Sequence, residues 1–124
     1  MRIFKNRTFC RWAAAHDIED TFLRSAVDEM ERGLVDANLG GHVFKKRLAL
    51  RAHGKSRGAR TLLVYHLNER TFFVYGFTKS ARDNVGDDEL IALKRLAKEL
   101  LAYSDQTLND LVLAEALIEV IPNE

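Results

Sequence analysis

The sequence predicts an α+β fold in which helices pack against a small, largely antiparallel β-sheet. Apolar residues follow a helical period up to about residue 34 and again from 87 to 103, and they follow a strand pattern between 44 and 77. The chain has 124 residues, 47% of them hydrophobic and 30% charged, which suits one compact domain. The predicted order of elements is (β)ααβββα plus a short C-terminal tail, with the helices on one sheet face.

The first third of the chain predicts a short strand followed by two helices. Residues 1–6 suit an extended segment, and the spacing i, i+3, i+4, i+7 from Phe9 to His16 indicates a helix. A second helix is expected from about Asp20 to Leu34, because its apolar residues form one stripe: Phe22, Leu23, Ala26, Val27, Met30 and Leu34. The glycine-containing run Asn38–Gly41 ends this helical stretch.

A period of two then indicates strands in the middle of the chain. Phe44 and Leu48 fall on one side of an extended segment, and Lys45 and Arg47 fall on the other, followed there by Arg51. We expect helices to cover the apolar side, so that the cations point to an open face. After this segment come a flexible basic loop at 53–58 and two apolar strands at 61–67 and 71–77. Their short connections predict an antiparallel meander.

A third helix and a tail complete the predicted fold. Asp87 is the expected N-cap of the helix, and a stripe of leucines continues to about Tyr103. Residues 107–116 predict one more short helix, and 117–121 a small strand or docking segment ended by Pro122. We expect residues 1–104 to form the functional domain and residues 105–124 to form a C-terminal extension packed on it.

The net charge of +1 hides an uneven distribution. Between His42 and Arg82 the only acid is Glu69, whereas the segment holds these cations: Lys45, Lys46, Arg47, Arg51, Lys55, Arg57, Arg60, Arg70, Lys79 and Arg82. From Asp105 onward every charged side chain is acidic. A concentrated basic region is typical of a surface that binds a polyanion.

RNA is the polyanion that this region suits, because cations neutralise phosphates while aromatic rings such as Tyr65 and Phe77 stack on splayed bases. His53 lies in the basic loop and is a candidate to contact phosphate or to transfer a proton. The alternative is a basic strand face that is merely solvated. Clustering argues against it, since like charges held close together repel each other.

Cysteine content and hydropathy favour a cytoplasmic protein without a metal site. Cys10 is the single cysteine, so an intramolecular disulfide is excluded. The histidines have no metal-ligand spacing, so neither zinc nor another cofactor is expected. The N-terminal residues lack the apolar run of a signal peptide, and no stretch reaches the ~18 apolar residues of a membrane span.

Four segments of the sequence resemble the RelE/ParE superfamily, and more narrowly its HigB-like RelE branch. They are Gly41–Ala49 (GHVFKKRLA), Gly54–Thr61 (GKSRGART), Phe72–Ser80 (FFVYGFTKS) and Glu89–Leu101 (ELIALKRLAKELL). The resemblance covers about residues 1–104 and implies a RelE-like fold.

The resemblance implies the toxin of a type II toxin–antitoxin module. RelE members of the superfamily enter the ribosomal A site and cleave the bound mRNA, whereas ParE members poison DNA gyrase. HigB-like members are neutralised by an antitoxin with an Xre-type helix-turn-helix domain. The implied partners are therefore mRNA on the ribosome and such an antitoxin, with no membrane partner. The implied activity is a metal-independent endoribonuclease that inhibits translation.

By position, Lys45, Arg47 and Arg60 match basic residues of the RelE site, and they are the candidate catalytic residues. We expect Arg60 to stabilise the phosphorane and Lys45 to act as the base. The remaining candidates are expected to bind nucleic acid: Lys46, Arg51, His53, Lys55, Arg57, Tyr65, Phe77, Lys79 and Arg82.

Two departures from the family leave other functions open. The ribonuclease RelE has an arginine where this chain has Ser80, and a tyrosine near the position of Gly86. The site must therefore differ, or its activity is weaker. A gyrase inhibitor of the ParE type is one alternative, and a non-catalytic RNA- or protein-binding module is the other.

Overall fold

The computed structural model describes residues 1–50 and 54–121, and the side chains in these ranges apart from 49, 50 and 54–57. The helices and strands of these ranges follow in chain order: β1 (Arg2–Asn6), α1 (Arg7–Ala15), α2 (Asp20–Glu31), β2 (Ala37–Asn38), β3 (Val43–Leu50), β4 (Gly54–His66), β5 (Arg70–Thr78), α3 (Asp87–Ala102), α4 (Asp105–Leu113) and β6 (Leu117–Glu119). No helix in the described ranges is long and apolar enough to cross a membrane.

The described strands form one sheet in the order β2-β3-β4-β5-β1-β6. Neighbouring strands are antiparallel except β1 and β5, which run parallel with Phe4 opposite Phe72. The α+β class and the largely antiparallel sheet are therefore confirmed. The parallel position of β1 was not predicted, because the sequence of a short strand does not reveal which partner it joins.

Helices cover both faces of the sheet, so the prediction of helices on one face is wrong. On the first face α1 and α2 bury Phe9 and Leu23 against Phe73. On the second face α3 and α4 bury Leu100 and Leu108 against Phe72. The central strands contain consecutive apolar residues, and alternation directs these to opposite faces, so each face needs a cover.

Several element boundaries differ from the predicted ones for local reasons. The second helix ends at Glu31 rather than Leu34, because Gly33 adopts a φ of +87° that a helix cannot continue. The segment 54–58, predicted as a loop, begins β4. Gly86 rather than Asp87 is the N-cap of α3, and its N–H donates to the Glu89 carboxylate.

The tail contains the expected short helix and strand. Ser104 caps α4 by accepting from the N–H of Thr107, and β6 pairs with β1 at the edge of the sheet. Leu108 and Leu117 are buried in the core of the second face. The division of the chain at residue 104 stays a prediction.

Candidate nucleic-acid interface

The register of the central strands brings the predicted catalytic residues together. Arg47 lies opposite Arg60, and Arg60 lies opposite Phe77, so the three form a row across β3, β4 and β5. Two residues along, Lys45, Leu62 and Tyr75 form a second row in the same way. Directly paired residues and residues two apart on a strand point to the same face. We call Lys45, Arg47, Arg60, Tyr75 and Phe77 the basic patch.

The basic patch belongs to the second face of the sheet, beyond the part that α3 covers. Gly76 points to α1, since a Cβ there would lie 2.3 Å from the ring of Trp12, and its neighbours Tyr75 and Phe77 therefore point away from α1. Val43 and Val64, further along β3 and β4, pack in the core with α3. The cations thus follow directly after the helix-covered part of the face.

The three cations of the patch differ in their partners. Arg47 forms an ion pair with Asp36, with 3.2 Å between Nε and Oδ1, and its backbone N–H also donates to that carboxylate. Lys45 is half-buried and has no ion pair or hydrogen bond within the described residues. Arg60 is partly buried, and its Nη1 has no hydrogen-bond partner in the described part of the chain. Lys45 therefore has no acidic partner within the described residues, and the buried Nη1 of Arg60 is left without a hydrogen bond there.

Arg82 closes one side of the basic patch. Its Nη1 donates to the Tyr75 hydroxyl at 3.1 Å and to Glu89 Oε2 at 3.0 Å. Its guanidinium carbon lies 5.9 Å from the ring centroids of both Tyr75 and Phe77, within cation–π range. These contacts fix the Arg82 charge at the border of the patch.

Hydrogen bonding shifts the pKa of both side chains in the Arg82–Glu89 pair. The bonds from Arg82, followed by the Gly86 N–H, lower the pKa of the Glu89 carboxyl to about 2. The same carboxylate and the Tyr75 hydroxyl raise the pKa of Arg82 above its usual value. Both side chains therefore stay charged across the physiological range, and the pair remains intact.

Replacing Glu89 by glutamine makes folding less sensitive to acid. Because the pKa of Glu89 is lower in the folded chain than its ordinary value of 4.5, its stabilisation is present above pH 4.5 and is lost as the pH falls to about 2. In this interval the wild-type chain should lose more stability than the Glu89→Gln variant, as measured by urea unfolding at a series of pH values. Asp88→Asn removes a neighbouring carboxylate and serves as the control. Identical pH profiles for wild type and Glu89→Gln would contradict the assignment.

Two residues that were predicted to contact RNA lie on the sheet face opposite the basic patch. Lys46 is only 5% exposed and faces α2, where its Nζ lies 2.9 Å from Glu29 Oε1 and donates to the Leu34 carbonyl at 3.0 Å. Tyr65 is buried in the core of the first face, with its ring edge-on to Phe44. Strand alternation places both residues on the face opposite the basic patch, so the structure does not bring them together with its cations.

The other predicted contacts are distributed as follows. Phe77 lies in the basic patch, but it is only 3% exposed, so its ring is buried beneath the patch and offers no open surface for base stacking. Lys79 is exposed just beyond the end of β5. Arg51 and His53 lie outside the described residues, as do the side chains of Lys55 and Arg57.

Sequence reasoning missed two members of this region. Tyr75 carried a usable signal, because it lies two residues before Phe77 on the same strand and must share its face. Glu89 carried none, since an acid in the first turn of a helix is explained by the helix dipole alone. Within the described residues, no three His, Cys, Asp or Glu side chains are placed to hold a metal ion.

A family model described as "RelE toxin of RelE / RelB toxin-antitoxin system" matches residues 1–120. No curated protein matches the chain.

Proposed function

Since this chain belongs to the RelE toxin family, we propose that it cleaves messenger RNA on the ribosome and so inhibits translation. RelE toxins are typically mRNA endoribonucleases, and the family implies an antitoxin of the RelB type as a partner. The observation that carries the proposal is the basic patch, where Lys45, Arg47 and Arg60 share one sheet face.

The charges of the patch support a polyanionic ligand. Arg47 and Arg60 lie directly opposite each other on adjacent strands, a placement in which like charges repel. Asp36 offsets the charge of Arg47, while Lys45 has no acidic partner within the described residues. An RNA phosphate at the patch offsets the remaining repulsion, and the charged rows then favour binding.

The proposed reaction needs no metal ion. Lys45, in its neutral amine form, takes the proton of a ribose 2′-hydroxyl, whose oxygen attacks the adjacent phosphorus. The P–O5′ bond breaks, the 5′-oxygen takes up a proton from water, and a 2′,3′-cyclic phosphate remains. Arg60 stabilises the extra negative charge of the phosphorane with its permanently charged guanidinium.

Further cations around the patch hold the RNA backbone in place. Arg47 and Phe77 are the two ends of the row that contains Arg60, Arg82 lies over the Phe77 ring, and Lys79 lies just beyond the end of β5. In the proposed site Arg47, Arg82 and Lys79 bind phosphates on either side of the bond that breaks. Because the patch contains no carboxylate or histidine pair within the described residues, orientation on the ribosome supplies much of the catalysis, and naked RNA is cut slowly.

Induction of the chain in a bacterium that lacks the antitoxin tests the function. We expect growth arrest and new mRNA 5′ ends inside the translated region of a reporter mRNA. These ends should disappear when the start codon of the reporter is removed, because the mRNA is then no longer translated. Activation of the DNA damage response without mRNA cleavage would instead select a gyrase inhibitor of the ParE type. Growth unaffected by overexpression would favour a non-catalytic binding module.

We further propose that the chain belongs to the HigB-like branch, acts in the cytoplasm, and pairs with an antitoxin that carries an Xre-type helix-turn-helix domain. The four sequence segments that resemble this branch support the proposal. The adjacent gene tests it, because a small helix-turn-helix protein encoded there is expected, and a neighbour without that domain would contradict it.

A further inference from the structure

A second charged groove, of about 690 Å³, lies at the opposite end of α3 from the basic patch. The sheet contributes His42, His66 and Arg70, and the second half of α3 contributes Lys94 and Lys98. Among the described residues that line the groove, Glu69 is the one carboxylate. The groove therefore concentrates positive charge that the proposed cleavage reaction does not use.

The two lysines of the groove are available to a ligand. Lys94 and Lys98 lie one helical turn apart on α3, where like charges repel, and neither has an ion pair within the described residues. Arg70 differs, because it is held by Asp105 at 3.2 Å and by the Tyr103 carbonyl. The uncompensated charge thus lies on the helix side of the groove.

The sheet side of the groove is preorganised. The imidazole rings of His42 and His66 lie 5.3 Å apart, and Nδ1 of His42 lies 3.3 Å from the Tyr65 carbonyl oxygen. Gly41 has a φ of +60°, and a Cβ there would lie 3.1 Å from Cγ of Lys94. The absence of a side chain at Gly41 therefore lets the Lys94 stem lie against the turn that precedes β3.

We propose that this groove is a second RNA-binding site, which takes backbone phosphates and is separate from the basic patch. The proposal rests on the proposed function only in that RNA is the polyanion. The charges at its centre favour RNA over a protein ligand, because protein interfaces are depleted of lysine at their core, whereas nucleic-acid interfaces are polar and positively charged.

The two sites lie on the same face of the sheet. His66 follows Arg60 by six residues on β4, which corresponds to roughly 20 Å along the strand, and residues an even number apart share a face. The groove therefore binds RNA that passes beyond the reacting nucleotides, and it contributes to affinity rather than to the chemical step.

Binding of a labelled single-stranded RNA to the purified full-length chain tests the second site. An oligonucleotide of about 12 nucleotides is long enough to span both sites, at ~3.4 Å per stacked nucleotide. The Lys94→Ala/Lys98→Ala variant should bind about 10-fold more weakly at low salt. The slope of log K against log salt should fall by ~0.7 for each phosphate that the variant no longer neutralises. Lys94→Arg/Lys98→Arg should retain binding, because the charges remain.

Arg95→Ala is the matched control, since Arg95 is exposed on the same helix and does not line the groove. Its affinity and salt slope should equal those of the wild type. In ribosome-dependent cleavage, the double alanine variant should raise KM and leave kcat unchanged. Melting temperatures of all variants establish that each chain is folded.

Unchanged RNA affinity and salt slope in the double alanine variant would overturn the second site. Weakened antitoxin binding together with unchanged RNA binding would also overturn it, and would assign the groove to a protein. If the wild type binds RNA through the lysines but cuts no mRNA, the proposed cleavage fails while the second site stands. If mRNA is cut normally but RNA binding does not depend on the lysines, the second site fails while the proposed cleavage stands.

Discussion

Replacing Arg60 by alanine lowers the rate of ribosome-dependent mRNA cleavage by about 10²- to 10³-fold, the usual effect of removing a group that stabilises charge in a transition state. Arg60 lies in the middle of the row that Arg47 and Phe77 complete, so its side chain starts from the centre of the patch. Its Nη1 has no hydrogen-bond partner in the described chain. Removal of the side chain therefore breaks no bond at that atom, and the variant should remain folded.

Primer extension on mRNA bound to programmed ribosomes measures this effect, with single-turnover rates for wild type and variant. Arg95→Ala provides the charge-matched control, because Arg95 is exposed on α3 outside the patch. In cells, the Lys45→Ala/Arg60→Ala double variant should no longer arrest growth. Full growth arrest by that double variant, present at wild-type levels, would show that the assigned site is wrong.

Replacing Gly76 by alanine is expected to produce the largest loss of stability. A Cβ at this position would lie 2.3 Å from Cε3 of Trp12, and the ring itself packs against Phe9 and His16. Neither the strand backbone nor the packed ring can move freely, so overpacking should lower the free energy of unfolding by about 3 kcal/mol, the upper end of the usual range. Urea unfolding followed by circular dichroism measures the change.

Gly86→Ala is the control for this substitution. A Cβ at Gly86 would meet only the flexible Glu89 side chain, at 3.5 Å, so the expected loss is limited to the ~1 kcal/mol or less by which alanine is a poorer N-cap than glycine. Adding Trp12→Ala to Gly76→Ala should cost less than the sum of the two single changes, because the smaller side chain removes the clash. Equal stability of the wild type and Gly76→Ala would contradict the close packing of β5 against α1.

Local patterns in the sequence were sufficient for most elements of the fold. The apolar spacing from Phe9 to His16 predicted α1, and the structure adds a cap at Asn6, whose side chain accepts from the Phe9 N–H. Alternation correctly separated Lys45 and Arg47 from the apolar side of β3. These features depend on residues within one helical turn or one strand, where neighbours in the sequence are also neighbours in the structure.

Features that depend on distant residues were missed. Lys46 shares a side of β3 with Phe44 and Leu48, so alternation already argued against an RNA contact. Its ion pair with Glu29 was not predicted, because it joins two elements that are far apart in the chain. The second helical layer was also missed, although the consecutive apolar residues around the buried Leu62 are typical of a strand that is covered on both faces. The catalytic roles of Lys45, Arg47 and Arg60 stay predictions.

A matched pair of variants, Lys45→Met and Lys46→Met, separates a catalytic lysine from a structural one on the same strand. The two lysines are adjacent on β3 and point to opposite faces, and methionine keeps much of each stem while removing its charge. Cleavage rates are measured on programmed ribosomes and expressed per folded molecule. We predict a loss of at least about 10²-fold for Lys45→Met, as expected for a general base, and a rate close to wild type for Lys46→Met. A full rate for Lys45→Met, or an equal loss for both variants, would show that the basic patch is not the site of cleavage.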